Sequence, residues 1–281
     1  VVDDHQVAVE NLQLSTRILT KVVPGNPLPI QHLEQLRQRM AQQGRAAEVE
    51  AMALRITQAG HKAMPAATAF VRPYGANRLT RDSRGLLKVN LADTNVRDLT
   101  PIAGMPIVYL NLWHTPTSTI TPLAEMPLEE LYVAYTNVGD LRPLTGMPLK
   151  SLTAAYSPVS DITPLQGLPL VYLYLSAAKV TNLNPLKGMH LQWLHLDHTP
   201  ITNITPLTGM PLKKLRLDGC NNLTDLTPLS NCTQLEELIL PPRHGNINFL
   251  KQLPNLRRIS YVYNRDPMKI QSATNFWRTR N

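Results

Sequence analysis

Aromatic residues are scarce, at 5% of 281 positions, so any place where they gather is informative. Cysteine is scarcer still: Cys220 and Cys232 are too few for a disulfide framework and read as small buried thiols. No run of about 18 apolar residues occurs, so no segment reads as a membrane-spanning helix. The opening stretch from Val1 to Glu10 carries acids and no basic n-region, unlike a signal peptide; its start at Val1 rather than Met reads as a trimmed piece of something longer. A basic stripe is also missing. The formal charge is +8, yet Lys/Arg and Asp/Glu number 11 and 7 in residues 1–85, 13 and 12 in 86–263, and 4 and 1 in 264–281. The excess therefore sits at the ends, which argues against nucleic acid as the partner. Phosphate-binding and catalytic-loop signatures of protein kinases are absent; Arg97-Asp98-Leu99 imitates one only superficially. No nucleophile and base stand at a diagnostic spacing, so no enzyme and no cofactor are expected.

What the sequence does have is proline, 24 in all, and a repeat. Paired apolar residues recur at Val89/Leu91, Leu110/Leu112, Leu131/Val133, Leu152/Ala154, Leu173/Leu175, Leu194/Leu196 and Leu215/Leu217, always 21 residues apart. Leu238/Leu240 follows after 23 and a degenerate Ile259/Tyr261 after 21 more. The unit reads L-x-L-x-x-T-x-V-x-D-L-T-P-L-x-G-M-P-L-x-x.

The two leucines of L-x-L point to one side of a short strand. Together with later positions, such as Val138, Leu141, Leu144 and Leu149, they face inward. One unit cannot enclose them, whereas stacked coils share one continuous core. Thr-Pro at 100–101, 121–122, 163–164, 205–206 and 227–228 predicts a hydroxyl N-cap followed by proline at the first helical position. Glycine three residues later (Gly104, Gly146, Gly167, Gly188, Gly209) suits a left-handed exit, and a second proline (Pro106, Pro127, Pro148, Pro169, Pro211) forbids more helix. The convex element is thus one turn, 3₁₀ rather than α, and the solenoid gently curved.

The D-L-T-P-L-x-G-M-P-L unit closely resembles the bacterial leucine-rich repeats of planctomycete-type proteins, many of them serine/threonine protein kinases with C-terminal repeats. Ile201–Leu207 is similar to internalin repeats, though those are a residue longer. Leu217–Leu226 resembles the first family's penultimate unit, and Leu253–Ser260 with Phe276-Trp277 its closing segment. The resemblance covers residues 86–281 and implies an α/β solenoid with short parallel strands on its concave face, 3₁₀ turns on its convex face, and a recognition role. Thr94, Thr115, Thr136, Ser157 and Thr199 stand where many such repeats place asparagine, and can bond the turn after the strand. Ala178 and Cys220 do this poorly, which predicts two looser coils.

Three regions are expected: an N-terminal helical cap (1–85), the solenoid (86–263) and a C-terminal capping tail (264–281). Residues 26–60 read as a helical hairpin, with Leu33, Leu36 and Met40 on one helix, Gly44 at the break, and Val49, Met52, Ala53 and Ile56 on the other. Ser272 to Trp277 should bury Phe276 and Trp277 over the last coil.

Outward positions of the strands line the concave face: Tyr109, Trp113, His114, Tyr132, Tyr135, Tyr156, Tyr172, Tyr174, Trp193, His195 and His198, with Arg216 beyond them. Six of the nine tyrosines and two of the three tryptophans fall there. Cross-strand aromatic pairs stabilise a sheet without any ligand, but a strip over about five strands exceeds what a monomer leaves uncovered. The expected function is capture of a protein or peptide on this face. A fixed structural subunit of a bacterial assembly, carbohydrate binding, and the regulatory region of a kinase whose catalytic domain lies elsewhere stay open as alternatives. His195, His198 and Asp197 could at most form a weak metal site.

Overall fold

The computed structural model describes residues 46–263 and 270–278. A helix α1 (Ala46–Val71) leads into ten strands: β1 (Leu79–Arg81), β2 (Leu87–Asn90), β3 (Ile107–Asn111), β4 (Glu130–Tyr132), β5 (Ser151–Thr153), β6 (Tyr172–Tyr174), β7 (Trp193–His195), β8 (Lys214–Arg216), β9 (Glu237–Ile239) and β10 (Arg258–Ser260). A short helix α2 (Ala273–Arg278) follows. The strands form one sheet in chain order. β1 pairs antiparallel with β2, and every later pair is parallel. Equivalent residues of successive repeats sit side by side, as in Tyr132↔Thr153↔Tyr174↔His195↔Arg216. The molecule is a leucine-rich-repeat solenoid.

The inward leucines behave as the repeat requires. Leu110, Leu131, Leu152, Leu173, Leu194 and Leu215 are all fully buried, and they join one core from Ala67 on α1 to Phe276 on α2. Between strands runs a 3₁₀ turn in each coil, such as Thr121–Leu123, Thr163–Leu165 and Thr205–Leu207. Proline at the second position removes an N–H that such a turn leaves unbonded anyway. Gly104, Gly146, Gly167, Gly188 and Gly209 adopt φ of 71–76°, and Glu125 takes the same conformation at 64°.

The cap of these turns differs from the expectation. No N-cap side chain bonds the turn, and Thr100, Thr121, Thr163 and Thr205 lie inside it. The acceptor comes from two residues earlier: Asp98 Oδ1 takes the Thr100 N–H at 2.8 Å, and Asp161 Oδ1 that of Thr163 at 2.8 Å. Asp140 and Asp225 act likewise, while Asn182, Asn203 and Asn246 do the same without charge. A side chain bonding the backbone two residues on is the Asx-turn geometry, and it outcompetes the threonine cap.

The asparagine-like positions do bond the strand end: Thr94, Thr115, Thr136 and Ser157 donate to the carbonyl three residues back at 2.7–2.8 Å. The Cys220 thiol, at the equivalent position of its coil, bonds instead to Leu196 O of the preceding coil at 3.0 Å. Burial pushes both the Cys220 and Cys232 thiols above their ordinary pKa, as expected of inert core cysteines.

At the N-terminal end, the first predicted helix of the hairpin lies outside the described residues. The second does not stop at residue 60 but continues to Val71, with Pro65 inside it. Its buried side carries Ile56, Gly60, Ala67 and Val71, while Ala53 is exposed. Gly60 is a point of close approach, since a Cβ there would lie 1.9 Å from Gly85 O. At the other end Phe276 is buried against Tyr261, with Trp277 half-buried beside it.

Candidate binding face

The side chains that point away from the core come from four positions of each repeat. On the strands these give Tyr109, Glu130, Ser151, Tyr172, Trp193 and Lys214 in one row, and Asn111, Tyr132, Thr153, Tyr174, His195 and Arg216 in the next. Just past the strands lie Trp113, Ala134, Ala155, Ser176 and Asp197, then His114, Tyr135, Tyr156, Ala177 and His198. All eleven predicted aromatic and histidine residues therefore share one face of the sheet. Trp113, Tyr135, Tyr156 and Tyr172 are 37–48% exposed and make up four of the six exposed large hydrophobic residues among those described.

The outermost row has a feature that sequence reading missed. Asp93, His114, Tyr135, Tyr156, Ala177 and His198 all have φ between 52° and 58°, and Gly219 follows at 73°. Each residue's N–H reaches the next coil: Tyr135 bonds Ala155 O at 2.9 Å, and Tyr156 bonds Ser176 O at 2.8 Å. The inter-coil ladder can continue past the strands only if this residue turns left-handed. Bulky L-residues rarely do so, and the conformation costs roughly 1–2 kcal/mol relative to the ordinary helical basin. Gly219 alone signalled the position.

The rings pair in four groups. Trp113, Tyr135 and Tyr156 run as a stack, the last two with centroids 4.4 Å apart and planes 9° apart. Tyr109 leans on Tyr132 at 5.5 Å. Beyond β5, Tyr174 stacks on His195 at 4.1 Å and Tyr172 meets Trp193 edge-on at 5.3 Å. Burial and the adjacent Glu130 carboxylate push the Tyr132 phenol up to about 12. Burial, then Tyr172 and Tyr263, raise Tyr174 to about 12, so both phenols are neutral at physiological pH. Burial, with Arg216 and Lys214 nearby, lowers His195 to about 3, so it is a neutral ring rather than a cation.

The end of the face near β8 is closed by its own charges. Arg216 Nη2 lies 3.1 Å from Asp197 Oδ2 and 3.0 Å from Asp218 Oδ2, and its guanidinium covers the Tyr263 ring at 3.7 Å. Arg258 and Lys214 both approach the buried Glu237. Lys214 also sits 4.4 Å over Trp193, and Ile239 on the same face is fully buried. Among the described residues one trio, Asp197, His198 and Asp218, brings three ligand atoms within 4.8 Å of one another. It excludes His195, and both of its carboxylates are already paired with the one guanidinium of Arg216.

No protein-family model matches the sequence, and no curated protein does. Solved structures do match. Internalin C2 from Listeria monocytogenes str. 4b F2365 is similar at 26% identity, covering 61% of this chain and 79% of that chain with a TM-score of 0.58. An internalin (inlF) from the same strain is 22% identical over 69% of this chain and 67% of that one, with a TM-score of 0.55. The chain thus has the internalin-like leucine-rich-repeat fold, typical of protein-binding modules.

Proposed function

We propose that this solenoid is a non-catalytic module that captures a polypeptide partner on the aromatic face between β3 and β7. The observation that carries the reading is the left-handed row. At a position where glycine fits, as Gly219 shows, the chain places Tyr135, Tyr156, His114 and His198. Folding alone favours glycine or asparagine there. Aromatic side chains held outward at that cost, and stacked so that few rotamers remain, are what a binding surface uses: large contact area with little entropy left to lose. The fold agrees, because recognition by such repeats needs only the side chains that the coils array.

A double variant, Tyr135→Gly with Tyr156→Gly, removes two exposed rings while keeping a backbone that glycine adopts freely. Partner recovered by affinity capture from the native source should fall about tenfold or more, with the repeat circular-dichroism signature retained. Undiminished capture by the folded variant would move the site to the 3₁₀ side or to the ends.

A further inference from the structure

The aromatic face is interrupted at β5. Thr153 stands between Tyr132 and Tyr174, two strands apart, and Ser151 between Glu130 and Tyr172. The flanking rings lean away from the break, Tyr132 toward Tyr109 and Tyr174 toward His195. A notch of about 340 Å³ opens there, walled by Tyr132, Tyr172 and Tyr174 and rimmed by Glu130 and Lys150. We propose that this notch receives an arginine side chain of the bound polypeptide. The inference rests on the reading of the face as a polypeptide-binding surface and adds the chemistry of one contact.

Three observations converge on arginine. The first is space. Parallel strands lie ~4.8 Å apart, so the tyrosine backbones are separated by roughly 10 Å. A flat group held between two rings needs about 7–8 Å, two ordinary carbon contacts. A planar guanidinium fits edgewise, and Arg stacks on aromatic faces more readily than Lys. The second is charge. Arg84 pairs with Asp82 and Glu129, and Lys150 with Glu129 at 2.8 Å, a neutral quartet. Glu130 accepts a hydrogen bond from the Tyr132 hydroxyl at 3.1 Å, and no Lys or Arg among the described residues pairs with it. The notch thus holds one uncompensated carboxylate beside electron-rich ring faces. The third is the Thr153 hydroxyl, the one buried side-chain polar atom among the described residues without a hydrogen-bond partner. It is buried in the register row between the two tyrosines, outside the residues that line the notch, and is an acceptor for a guanidinium, with five donors, that enters deeply enough to shift the rings further. An apolar side chain would leave both Glu130 and Thr153 as they are, and an acidic one would face Glu130.

The test uses the whole chain and small probes. N-acetyl-arginine amide, its neutral isostere N-acetyl-citrulline amide and N-acetyl-lysine amide are titrated while the tyrosine ring signals are followed by NMR, assigned with Tyr132→Phe and Tyr174→Phe. The arginine probe should shift the Tyr132 and Tyr174 signals saturably and bind about tenfold more tightly than citrulline. Glu130→Gln should erase that preference while keeping the spectrum of the folded chain. Equal affinity for arginine and citrulline, or shifts that miss both tyrosines, would overturn the proposal. A parallel selection of N-acetylated pentapeptides on the same chain separates the two levels. Retained peptides lacking arginine, lost with Tyr135→Gly/Tyr156→Gly, would refute the notch and leave the face intact. Retained peptides indifferent to that variant would refute the face, with the arginine probe still deciding the notch.

Discussion

At position 156 the usual order of alanine and glycine should reverse. Tyr156 has φ of 52°, is 48% exposed and stacks on Tyr135 at 4.4 Å. Replacing it with alanine removes the stacked pair, worth about 0.5–1.5 kcal/mol, and keeps the left-handed strain. Replacing it with glycine removes the same pair but also relieves roughly 1–2 kcal/mol of strain. Against that stands the extra freedom glycine gives the unfolded chain, about 0.5–1 kcal/mol. The net expectation is that Tyr156→Gly is more stable than Tyr156→Ala by about 0.5–1 kcal/mol. In an ordinary exposed segment glycine is the poorer residue. Urea unfolding followed by far-ultraviolet circular dichroism measures both variants under one set of conditions. An alanine variant as stable as the glycine variant, or more so, would show that the turn carries no strain and would remove the argument that aromatics are placed there for binding.

Two further expectations concern pH. The turn-capping carboxylates Asp98, Asp140, Asp161 and Asp225 are held below the ordinary aspartate range by their hydrogen bonds to the turn residue two positions on. Their contribution is complete above the unfolded value of about 3.9 and is lost as pH falls through the folded values. The quadruple Asp→Asn variant should therefore fold normally at neutral pH, as the native Asn182, Asn203 and Asn246 caps imply, and should show a flatter acid-unfolding limb in a pH titration of circular dichroism. His195 has the opposite chemistry and the same sign of slope. The unfolded ring takes its proton near 6.5 and the folded one only near 3, so stability declines as pH drops through that window. His195→Phe keeps a ring against Tyr174 and should remove about 1 kcal/mol of that decline by pH 5.5, allowing for partial solvent access. An unchanged slope in urea titrations at pH 7 and 5.5 would count against a desolvated histidine.

The solenoid was legible in the sequence because its determinants are local and repeated. Leu131, Leu152, Leu173 and Leu194 each carry the same instruction, and the 21-residue spacing aligns them into one core. The face was legible too, since strand alternation decides which side Tyr132 or Tyr174 takes. The 3₁₀ turns followed from proline and glycine spacing, but their caps did not. Both Asp98 and Thr100 can satisfy a turn, and only geometry shows that the aspartate does. The left-handed row escaped notice because tyrosine, histidine, alanine and aspartate are poor witnesses to positive φ, and glycine appears there once. Contacts distant in sequence were equally unreadable. Nothing local says that Gly60 must press on Gly85, that Arg216 will lie over Tyr263, or that rings on either side of β5 will part.

Hydroxyl-radical footprinting of the chain, alone and with the polypeptide that copurifies with it, bears most directly on where the partner sits. Protection centred on Trp113, Tyr135, Tyr156 and Tyr172, with the exposed His61 on α1 and the exposed His190 after the Asn184–Leu186 turn unaffected, is the predicted pattern. Protection confined to those histidines, with the four exposed rings oxidised as fast as before, would contradict it.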